Sequence, residues 1–438
     1  MAEKRKKRKQ STIIDKHCDK ENLSMANPTI KKPRGTLDYI GKDAEILLGL
    51  RSLLLKEAGL YGCTPIEVPM FEENQLFHRS VGESSDIVQK ETFDLKNKGD
   101  KDYTLRPEFT ASVSRAVLEN KLYTSPDMPL RFSYFGSVFR YERPQTGRLR
   151  EFHQYGVEFM DSKIDLSSTL DAFLLSLRSA EKALGHEVEA KINFLGSFAS
   201  RETYKAELKK YFTPRIDSMC DDCKRRLQIN PLRILDCKVE ADQEIAKGAP
   251  RVTDYLDEAD KKEFEAICSS LDALGIHYEI DSELVRGLDY YTGLVWELYD
   301  ASNLSLGAIG GGGKYASLMS QLGGPEFEGI GFSLGVERVL LALSDERKVE
   351  IALHIPLDLM IIDFEKKGKA NRLADALRNK GKNVFIASFS RAMGGAMKMA
   401  DRKGASSVLI INEDGTLQLK NMKTREQKDI KEEELLAL

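Results

Sequence analysis

The sequence has little cysteine, no long apolar run and almost no excess of charge of either sign. Only 6 of its 438 residues are cysteines, which indicates reduced, intracellular thiols rather than a disulfide scaffold. No apolar run approaches the roughly 20 residues that are needed to cross a bilayer, so we expect no membrane contact. The net charge of −3 does not identify a partner by itself.

We also expect no signal peptide, since MAEKRKKRKQ has no apolar segment after its basic residues. We therefore expect a cytoplasmic protein. The basic run Lys4–Lys9 repels itself and buries nothing, so residues 1–30 are predicted to be a disordered basic extension. A nuclear address, an RNA-attracting tail and a solubilising extension all fit this run, and Met25 is a second possible start.

Two common nucleotide-binding motifs are absent as well. The glycine run Gly310–Gly313 is followed by Lys314 and Tyr315, whereas a Walker A loop requires serine or threonine after its lysine. Residues 356–438 contain no GxGxxG, so nothing there favours a dinucleotide site.

The most informative stretch that is present runs from Arg140 to Glu158. Its flanks alternate like the two strands of a hairpin, and Arg140, Phe152, Gln154 and Glu158 share one face. A half-buried strand normally carries apolar residues on its inward face. Because arginine forks suit phosphate oxygens and a carboxylate suits a cationic or amino-bearing ligand, this row predicts a binding surface. The alternative is an ordinary hairpin with a charged tip.

Other stretches carry residues that a plain core does not need. Leu284–Gly293 holds an arginine and two tyrosines around glycine turns, and tyrosine hydroxyls can read a polar ring. Gly310–Gly313 allows the backbone to approach a ligand or another strand closely. Gly329–Arg338 predicts a strand running into a helix, where Arg338 opposes the helix dipole unless an anion binds. The alternative is that Glu337 or another acidic residue neutralises Arg338.

Glu108 lies at a predicted corner between a strand and a helix. Thr110 is the predicted N-cap of that helix. A carboxylate at this corner could hold an ammonium group of a ligand. The alternative is an ion pair of Glu108 with Arg106 or Arg115.

The helical and strand patterns divide the chain into segments. Leucines at helical spacing over residues 42–59 predict a helix, and a short strand over 64–69 follows; together they fit either simple core or a subunit interface. The segment 197–277 is highly charged, helical and broken by prolines, which is typical of an inserted helical domain. From about residue 356, alternating strands and helices predict a small, mostly parallel α/β domain. Its residues are net positive, with 16 Lys/Arg against 12 Asp/Glu, which is compatible with RNA.

The cysteines of the inserted segment raise the question of a metal. Cys220 and Cys223 form a CxxC pair, and Cys237 and Cys268 follow. The second pair lacks the CxxC spacing of many zinc sites, so reduced structural thiols are favoured and zinc is unlikely.

These stretches together resemble a known family. Arg140–Glu158 resembles motif 2 of the class II aminoacyl-tRNA synthetases, Gly329–Arg338 resembles motif 3, and the helix and strand ending at Pro69 resemble motif 1. Leu284–Gly293 and Gly310–Tyr315 are similar to the two signatures of histidyl-tRNA synthetases. The resemblance extends over roughly residues 28–430.

The resemblance implies an α+β fold and a domain plan. We expect an antiparallel six-stranded sheet flanked by helices in residues 31–196 and 278–350, with motifs 1 and 2 in the first part and the histidine signatures and motif 3 in the second. A helical insertion at 197–277 and an anticodon-binding α/β domain at 356–438 complete it. A homodimer through motif 1 is also implied.

The implied activity is that of a histidine–tRNA ligase. ATP and L-histidine give histidyl-adenylate and pyrophosphate, and a hydroxyl of the terminal adenosine of the histidine tRNA then takes the histidyl group. Mg²⁺ arrives with ATP, and the protein itself supplies no metal site. The implied histidine-binding residues are Glu108, Phe109, Thr110, Arg140, Gln154, Glu158, Arg286, Tyr290, Tyr291 and Tyr315. The implied ATP-binding residues are Arg140, Glu142, Arg148, Phe152, Arg286 and Arg338.

Arg286 and Arg140 are the implied catalytic residues, because displacement at phosphorus needs positioned cations more than a covalent catalyst. Rival functions are a regulatory paralogue in histidine biosynthesis, a sensor of uncharged tRNA, and a ligase for another amino acid. The first two should have lost residues of the pocket. This chain keeps Arg286 and the arginines of the Arg140–Glu158 stretch. Exchange of pyrophosphate into ATP with each amino acid separates the three.

Overall fold

The computed structural model describes residues 29–81, 87–95, 99, 101–286, 288, 290–387 and 392–437. The predicted basic extension at residues 1–30 lies outside the described residues, apart from its last two positions. Gly287 and Asp289 of the Leu284–Gly293 stretch lie outside them too.

The strands follow one another along the whole described chain. In chain order they are β1 (Thr64–Pro65), β2 (Phe71–Glu73), β3 (Phe93–Leu95), β4 (Tyr103–Leu105), β5 (Leu130–Phe139), β6 (Glu151–Asp161), β7 (Val188–Phe194), β8 (Glu279–Ile280), β9 (Tyr291–Asp300), β10 (Ala308–Tyr315), β11 (Glu328–Gly335), β12 (Leu359–Asp363), β13 (Val384–Ile386), β14 (Ser407–Ile411), β15 (Leu417–Asn421) and β16 (Gln427–Asp429).

The α-helices are interleaved with these strands. In chain order they are α1 (Lys42–Leu60), α2 (Asn74–Val81), α3 (Thr110–Glu119), α4 (Leu166–Leu184), α5 (Phe198–Phe212), α6 (Asp221–Ile229), α7 (Glu240–Ala246), α8 (Glu258–Ala273), α9 (Leu318–Gln321), α10 (Val336–Ala342), α11 (Asp345–Ile351), α12 (Lys369–Arg378), α13 (Met393–Arg402) and α14 (Glu432–Leu436). None of the described helices is both long and apolar enough to cross a membrane.

The large sheet has the strand order β1-β5-β6-β11-β10-β9-β7-β8. Its central strands, from β5 to β7, all pair antiparallel, which confirms the predicted antiparallel six-stranded sheet. The two-residue strands β1 and β8 add parallel edges. Strand β1, with two residues, is much shorter than the strand predicted over 64–69. Two residues are too few to produce an alternating pattern in the sequence.

The two faces of this sheet have different partners. Tyr155 and Phe159 of β6 pack with Leu54 of α1 and Phe173 of α4 in the main core, where each large apolar side chain contributes about 1.5–3 kcal/mol by leaving water. Since successive strand side chains point to opposite faces, Glu158 lies on the face away from these helices. The helices thus bury one face and leave the other for a site.

The hairpin of β5 and β6 has the predicted arrangement of its side chains. Phe132 pairs with Glu158, Gly136 with Gln154 and Val138 with Phe152, and residues directly opposite in antiparallel strands point to the same face. The two strands end at Phe139 and begin at Glu151, so the cationic loop between them starts at Arg140.

The segment 197–277 is helical, as its pattern predicted. Helices α5 to α8 alternate with 3-10 turns, and prolines stand in the first turns of Thr213–Ser218 and Pro231–Ile234, where the missing N–H costs little. Tyr204, Leu208 and Leu227 belong to a separate apolar core in this segment. The boundaries of this segment as a domain stay a prediction.

The last unit is a five-stranded sheet with the order β13-β12-β14-β15-β16. Two of its four strand pairings are parallel and two are antiparallel, so the α/β unit is less parallel than the sequence predicted. Leu373 of α12 packs on one face and Ala400 of α13 on the other. Strand β16 was not predicted, because all of its residues are exposed and it has no apolar alternation.

Candidate active site

A cleft of about 460 Å³ lies on the open face of the large sheet. It is lined by residues from the β5–β6 hairpin, the stretch before β9, and strands β10 and β11. The sequence-predicted site residues that line it are Glu108, Thr110, Arg140, Glu142, Arg148, Phe152, Gln154, Glu158, Arg286, Tyr290, Tyr291, Tyr315 and Arg338.

Phe109 is the one predicted histidine-binding residue that does not line this cleft in the described structure. Its ring stacks on Tyr134 with centroids 4.2 Å apart, and the Arg106 guanidinium lies 3.9 Å from its centroid on the other side. Phe109 therefore packs against Tyr134, which lines the cleft, and its predicted contact with histidine stays a prediction.

Glu158 forms the floor of the cleft. Its Oε1 accepts hydrogen bonds from the hydroxyls of Thr110 at 2.6 Å and Tyr134 at 3.2 Å, and its Oε2 accepts one from Tyr315 at 2.8 Å. The side chain has this space because residue 331 is glycine: a Cβ there would lie 2.0 Å from Oε2.

Burial dominates the electrostatics of this floor. Desolvation raises the pKa of Glu158 to about 8, although the hydroxyl bonds from Thr110, Tyr315 and Tyr134 oppose the shift and the nearby Glu108 adds to it. A carboxyl group with such a pKa exchanges protons near neutrality. It can therefore accept or donate a hydrogen bond to a ligand of matched pKa.

Glu108 caps helix α3 instead of pairing with an arginine. Its two oxygens accept the backbone N–H groups of Thr110 at 2.6 Å and Ala111 at 2.8 Å, where the helix dipole also favours negative charge. Thr110 is consequently the first residue of the helix rather than its predicted cap. The alternative partner Arg115 binds Glu72 at 2.7 Å.

Three tyrosines form one wall of the cleft. The rings of Tyr290 and Tyr291 have centroids 4.7 Å apart, and those of Tyr290 and Tyr315 are 5.6 Å apart. Burial raises the pKa of all three hydroxyls, so each keeps its proton. The wall thus offers flat apolar surfaces with hydroxyl donors beside Glu158.

Among the residues that sequence analysis assigned to this site, buried polar atoms without a hydrogen-bond partner occur in the described structure. They are Oε1 of Gln154 and Nε of Arg286. A buried polar atom without a partner costs about 1–3 kcal/mol. An acceptor and a donor left free in one cleft point to a ligand that carries both an N–H group and an anionic oxygen.

Arg286 is held by a carboxylate that sequence reasoning did not single out. Its Nη1 lies 2.5 Å from Oε1 of Glu297, and the Tyr299 hydroxyl donates to the other oxygen of Glu297 at 2.6 Å. The guanidinium also approaches Gly311, where a Cβ would lie 2.9 Å from Nη1. Arg286 is therefore fixed in direction at the edge of the cleft, and its Nε has no hydrogen-bond partner among the described residues.

The other end of the cleft is cationic. Arg148 lies 3.3 Å from Glu142, and Arg338 donates to the carbonyl oxygen of Gly147 at 3.2 Å. Burial, and then the nearby Arg148, lowers the pKa of Arg338. Guanidinium groups that destabilise one another in this way are stabilised by phosphate oxygens.

Arg140 links the cationic end to an aromatic surface. Its Nε donates to the carbonyl oxygen of Pro107 at 3.0 Å, and its guanidinium carbon lies 5.3 Å from the centroid of the Phe152 ring. A fixed arginine beside a half-buried aromatic ring that lines the cleft suits a phosphate joined to a purine.

Glu337 does not neutralise Arg338, which was the alternative reading of the sequence. Its carboxylate accepts the backbone N–H of His153 at 2.8 Å and the hydroxyl of Tyr39 at 2.9 Å. These bonds tie the first turn of α10 to β6 and hold Arg338 over the cleft.

The inserted segment also reaches this cleft. Arg226, Arg233, Asp236 and Lys238 line it together with the hairpin. Nothing in the local sequence distinguishes them from the many other charged residues of that segment. Their position at the cleft follows only from the fold, which brings the inserted segment over the sheet.

An antiparallel sheet with this cleft, helices on its far side and a separate α/β unit after it define a class II aminoacyl-tRNA synthetase. Comparison with known proteins gives the same result. A family model described as "Histidyl-tRNA synthetase" matches residues 35–339, and one described as "Anticodon binding domain" matches residues 357–438.

Similar proteins span nearly the whole chain. Proteins named "Histidine--tRNA ligase" from Staphylococcus carnosus and Thermosipho melanesiensis are 42% and 39% identical, cover 92% and 93% of this chain, and are themselves covered to 95% and 97%. The crystal structure of apo S. aureus histidyl-tRNA synthetase superposes with a TM-score of 0.77 at 34% identity, covering 93% of this chain and 99% of that one. The chain belongs to the histidyl-tRNA synthetase family and is an aminoacyl-tRNA ligase.

Proposed function

We propose that the cleft activates histidine with ATP, and then transfers the histidyl group to the terminal adenosine of the histidine tRNA. The observation that carries this proposal is the meeting of Arg140, Arg286 and Arg338, from distant parts of the sequence, beside the Glu158 floor in one cleft. Displacement at the α-phosphorus needs cations positioned around developing charge, which these arginines supply.

The Glu158 floor and its tyrosine wall bind the imidazole of histidine. Glu158 hydrogen-bonds one ring nitrogen and Tyr291 the other, while Tyr290 and Tyr315 line the ring. Histidine is the only side chain whose ordinary pKa, about 6.5, lies close to that of the buried carboxyl group. A paired acceptor and hydroxyl reject side chains that lack such groups by several powers of ten.

The α-amino group of histidine lies at the entrance of this pocket. Glu108 and Thr110, at the start of α3, and Gln154, with its unpartnered Oε1, accept its N–H groups. Each oxygen of Glu108 already accepts one backbone N–H, and a carboxylate oxygen can accept a further bond.

ATP binds along the cationic end of the cleft. Arg140 holds the α-phosphate, Arg148 and Arg338 hold the outer phosphates, and adenine stacks on Phe152. Glu142, which pairs with Arg148, orients that guanidinium and borders the nucleotide. Mg²⁺ enters as part of the nucleotide substrate.

Arg286 bridges the two substrates. One side of its guanidinium is bound to Glu297, so the free Nε can reach the carboxylate of histidine or the α-phosphate. Charge on the phosphorus oxygens grows as the carboxylate attacks, and a fixed guanidinium stabilises it without reorganising.

The same proposal covers the partners of the enzyme. The net positive C-terminal unit, residues 356–438, takes the anticodon end of the tRNA. A homodimer forms through α1 and β1, because Leu48 and Leu60 of α1 are 49% and 72% exposed and β1 ends the large sheet. The prediction of a cytoplasmic enzyme stays part of this proposal.

The test is ATP–pyrophosphate exchange with each of the twenty amino acids. We expect exchange with histidine alone. Exchange with a different amino acid contradicts the assigned pocket, and absence of exchange with all of them favours a sensor of tRNA or a regulatory paralogue.

A further inference from the structure

The inserted segment gathers three of its cysteines and one aspartate into a compact cluster. The ligand atoms of Cys220, Cys223, Cys237 and Asp242 all lie within 4.8 Å of one another. The fourth cysteine of the segment, Cys268, lies apart on α8. The sequence argument against zinc relied on pairing Cys237 with Cys268, whereas the fold pairs Cys237 with Asp242.

The distances inside this cluster fit a tetrahedral ion. Sγ of Cys220 and Sγ of Cys237 are 3.8 Å apart, and Sγ of Cys237 and Oδ2 of Asp242 are 3.3 Å apart. Zinc takes sulfur at about 2.3 Å and carboxylate oxygen at about 2.0–2.2 Å in tetrahedral geometry, which places two sulfurs roughly 3.8 Å and a sulfur and an oxygen roughly 3.5 Å apart.

The surroundings of Asp242 also call for a cation. Its carboxylate is buried with 1% exposure, and its described partners are the backbone N–H of Cys220 at 3.1 Å and the thiols of Cys220, Cys223 and Cys237. None of these partners is positively charged. Because an uncompensated buried carboxylate is costly, a divalent ion between Asp242 and the sulfurs would stabilise it.

A cross-link here would join separate pieces of a small core. Cys220 precedes α6, Cys223 lies in its first turn, Cys237 follows the 3-10 turn Pro231–Ile234, and Asp242 lies in α7. Cores of well under 70–80 residues commonly need a disulfide or a metal for stability. The separate apolar core of this segment draws its buried residues only from Tyr204 to Val252, which is within that range.

We propose that Cys220, Cys223, Cys237 and Asp242 hold a structural Zn²⁺ ion. Binding forms three zinc–sulfur bonds and one zinc–oxygen bond, releases the thiol protons to solvent and changes no oxidation state. Four protein ligands leave no open position for a substrate, so the ion is structural. It fixes the segment from which Arg226, Arg233 and Lys238 reach the active-site cleft.

The test is the zinc content of the full-length protein purified without chelators, measured by inductively coupled plasma mass spectrometry. We expect about one zinc per chain, as a closed four-ligand site binds one ion. After replacement by Co²⁺, we expect thiolate-to-cobalt charge-transfer bands and the intense visible bands of tetrahedral cobalt. Both measurements use the unaltered protein and do not depend on the stability of a variant.

Substitutions then assign the ligands. Cys223→Ser and Cys237→Ser should lose the zinc and the cobalt bands, whereas Cys268→Ser, a matched change outside the cluster, should keep both. A zinc-free protein that gives no cobalt bands overturns the proposal. Peptide mapping that finds a Cys220–Cys237 disulfide in the freshly purified protein overturns it as well, since the pair would then be a redox pair.

Discussion

The surroundings of Glu158 change the pKa of its carboxyl group. Burial raises its pKa to about 8, and hydroxyl groups from Thr110, Tyr134 and Tyr315 satisfy its oxygens. An apolar residue at this floor would pack equally well, but it would leave an imidazole without a partner. The cost of burying Glu158 is thus consistent with a site for ligand recognition.

Replacing Glu158 should separate the two substrates. We expect Glu158→Ala to raise the KM for histidine by about 100-fold or more, since polar groups of the bound ligand lose their partner, while the KM for ATP changes by less than about threefold. Steady-state ATP–pyrophosphate exchange measures both. Glu187→Ala, an exposed glutamate outside the cleft, is the matched control. Equal increases for both substrates would mean that the pocket is wrongly assigned.

The raised pKa of Glu158 also predicts a dependence of stability on pH. Between its ordinary pKa of about 4.5 and its folded value of about 8, the folded protein binds more protons than the unfolded chain. The free energy of unfolding should therefore fall as the pH rises through this window. Urea unfolding of the ligand-free protein should show a smaller fall in Glu158→Gln than in the wild type. An unchanged slope in that variant would contradict the raised pKa.

Arg286 should act in the first chemical step alone. We expect Arg286→Ala to abolish histidyl-adenylate formation, a loss of at least about 10²–10³-fold for a positioned donor, and to leave tRNA binding nearly intact. Exchange assays and filter binding of tRNA measure the two effects. Arg79→Ala, an exposed arginine on α2, serves as the control. Near-normal exchange in Arg286→Ala would remove the role assigned to this residue.

Among the secondary-structure elements, strand β11 depends on small residues to make room for the pocket. A Cβ at position 331 would lie 2.0 Å from Oε2 of Glu158, and one at position 329 would lie 2.2 Å from the ring of Tyr315. A larger residue at position 331 would displace the side chain of Glu158, and one at position 329 would displace the ring of Tyr315. The glycines of β11 thus provide the depth of the cleft.

A methyl group on this strand should therefore damage the pocket. We expect Gly331→Ala to weaken histidine binding more than ATP binding and to cost about 1–3 kcal/mol of stability through overpacking. Isothermal titration with histidine and urea unfolding measure the two effects. Gly394→Ala in α13, where a Cβ meets nothing within 4 Å, should leave histidine affinity unchanged and raise stability by up to about 1 kcal/mol. Wild-type histidine affinity in Gly331→Ala would place the ligand elsewhere.

How much the sequence predicted depends on the range of the interactions involved. The face shared by Phe152, Gln154 and Glu158 was predictable because it follows from alternation within one hairpin. The partnership of Arg286 with Glu297, and the arrival of Arg226 at the cleft, depend on contacts between elements and leave no local pattern. The two-residue strand β8 was not predictable for the same reason, since pairing with a neighbouring strand defines it, and β1 was predicted but with too many residues.

At the scale of the whole molecule, the chain consists of units with separate cores. The apolar clusters of the C-terminal sheet contain only residues from Leu357 onward. The main core ends with Ile351 of α11, and the Leu353 N–H still donates to Glu45 of α1 at 2.8 Å. A cut after Ile355 therefore separates the two units without opening either core.

Such a truncation should separate the two half-reactions. We expect residues 1–355 to keep ATP–pyrophosphate exchange with histidine within about threefold of the full chain, because every proposed substrate-binding residue precedes the cut and no contact in either core is lost. Transfer to tRNA should fall by about 100-fold or more, since the net positive unit that binds tRNA is missing and phosphate contacts dominate nucleic-acid affinity. Circular dichroism should show that the fragment is folded. Loss of exchange in a folded fragment would show that the C-terminal unit takes part in adenylate formation. Full transfer activity in the fragment would show that the tRNA is held by the catalytic sheet and the inserted segment alone.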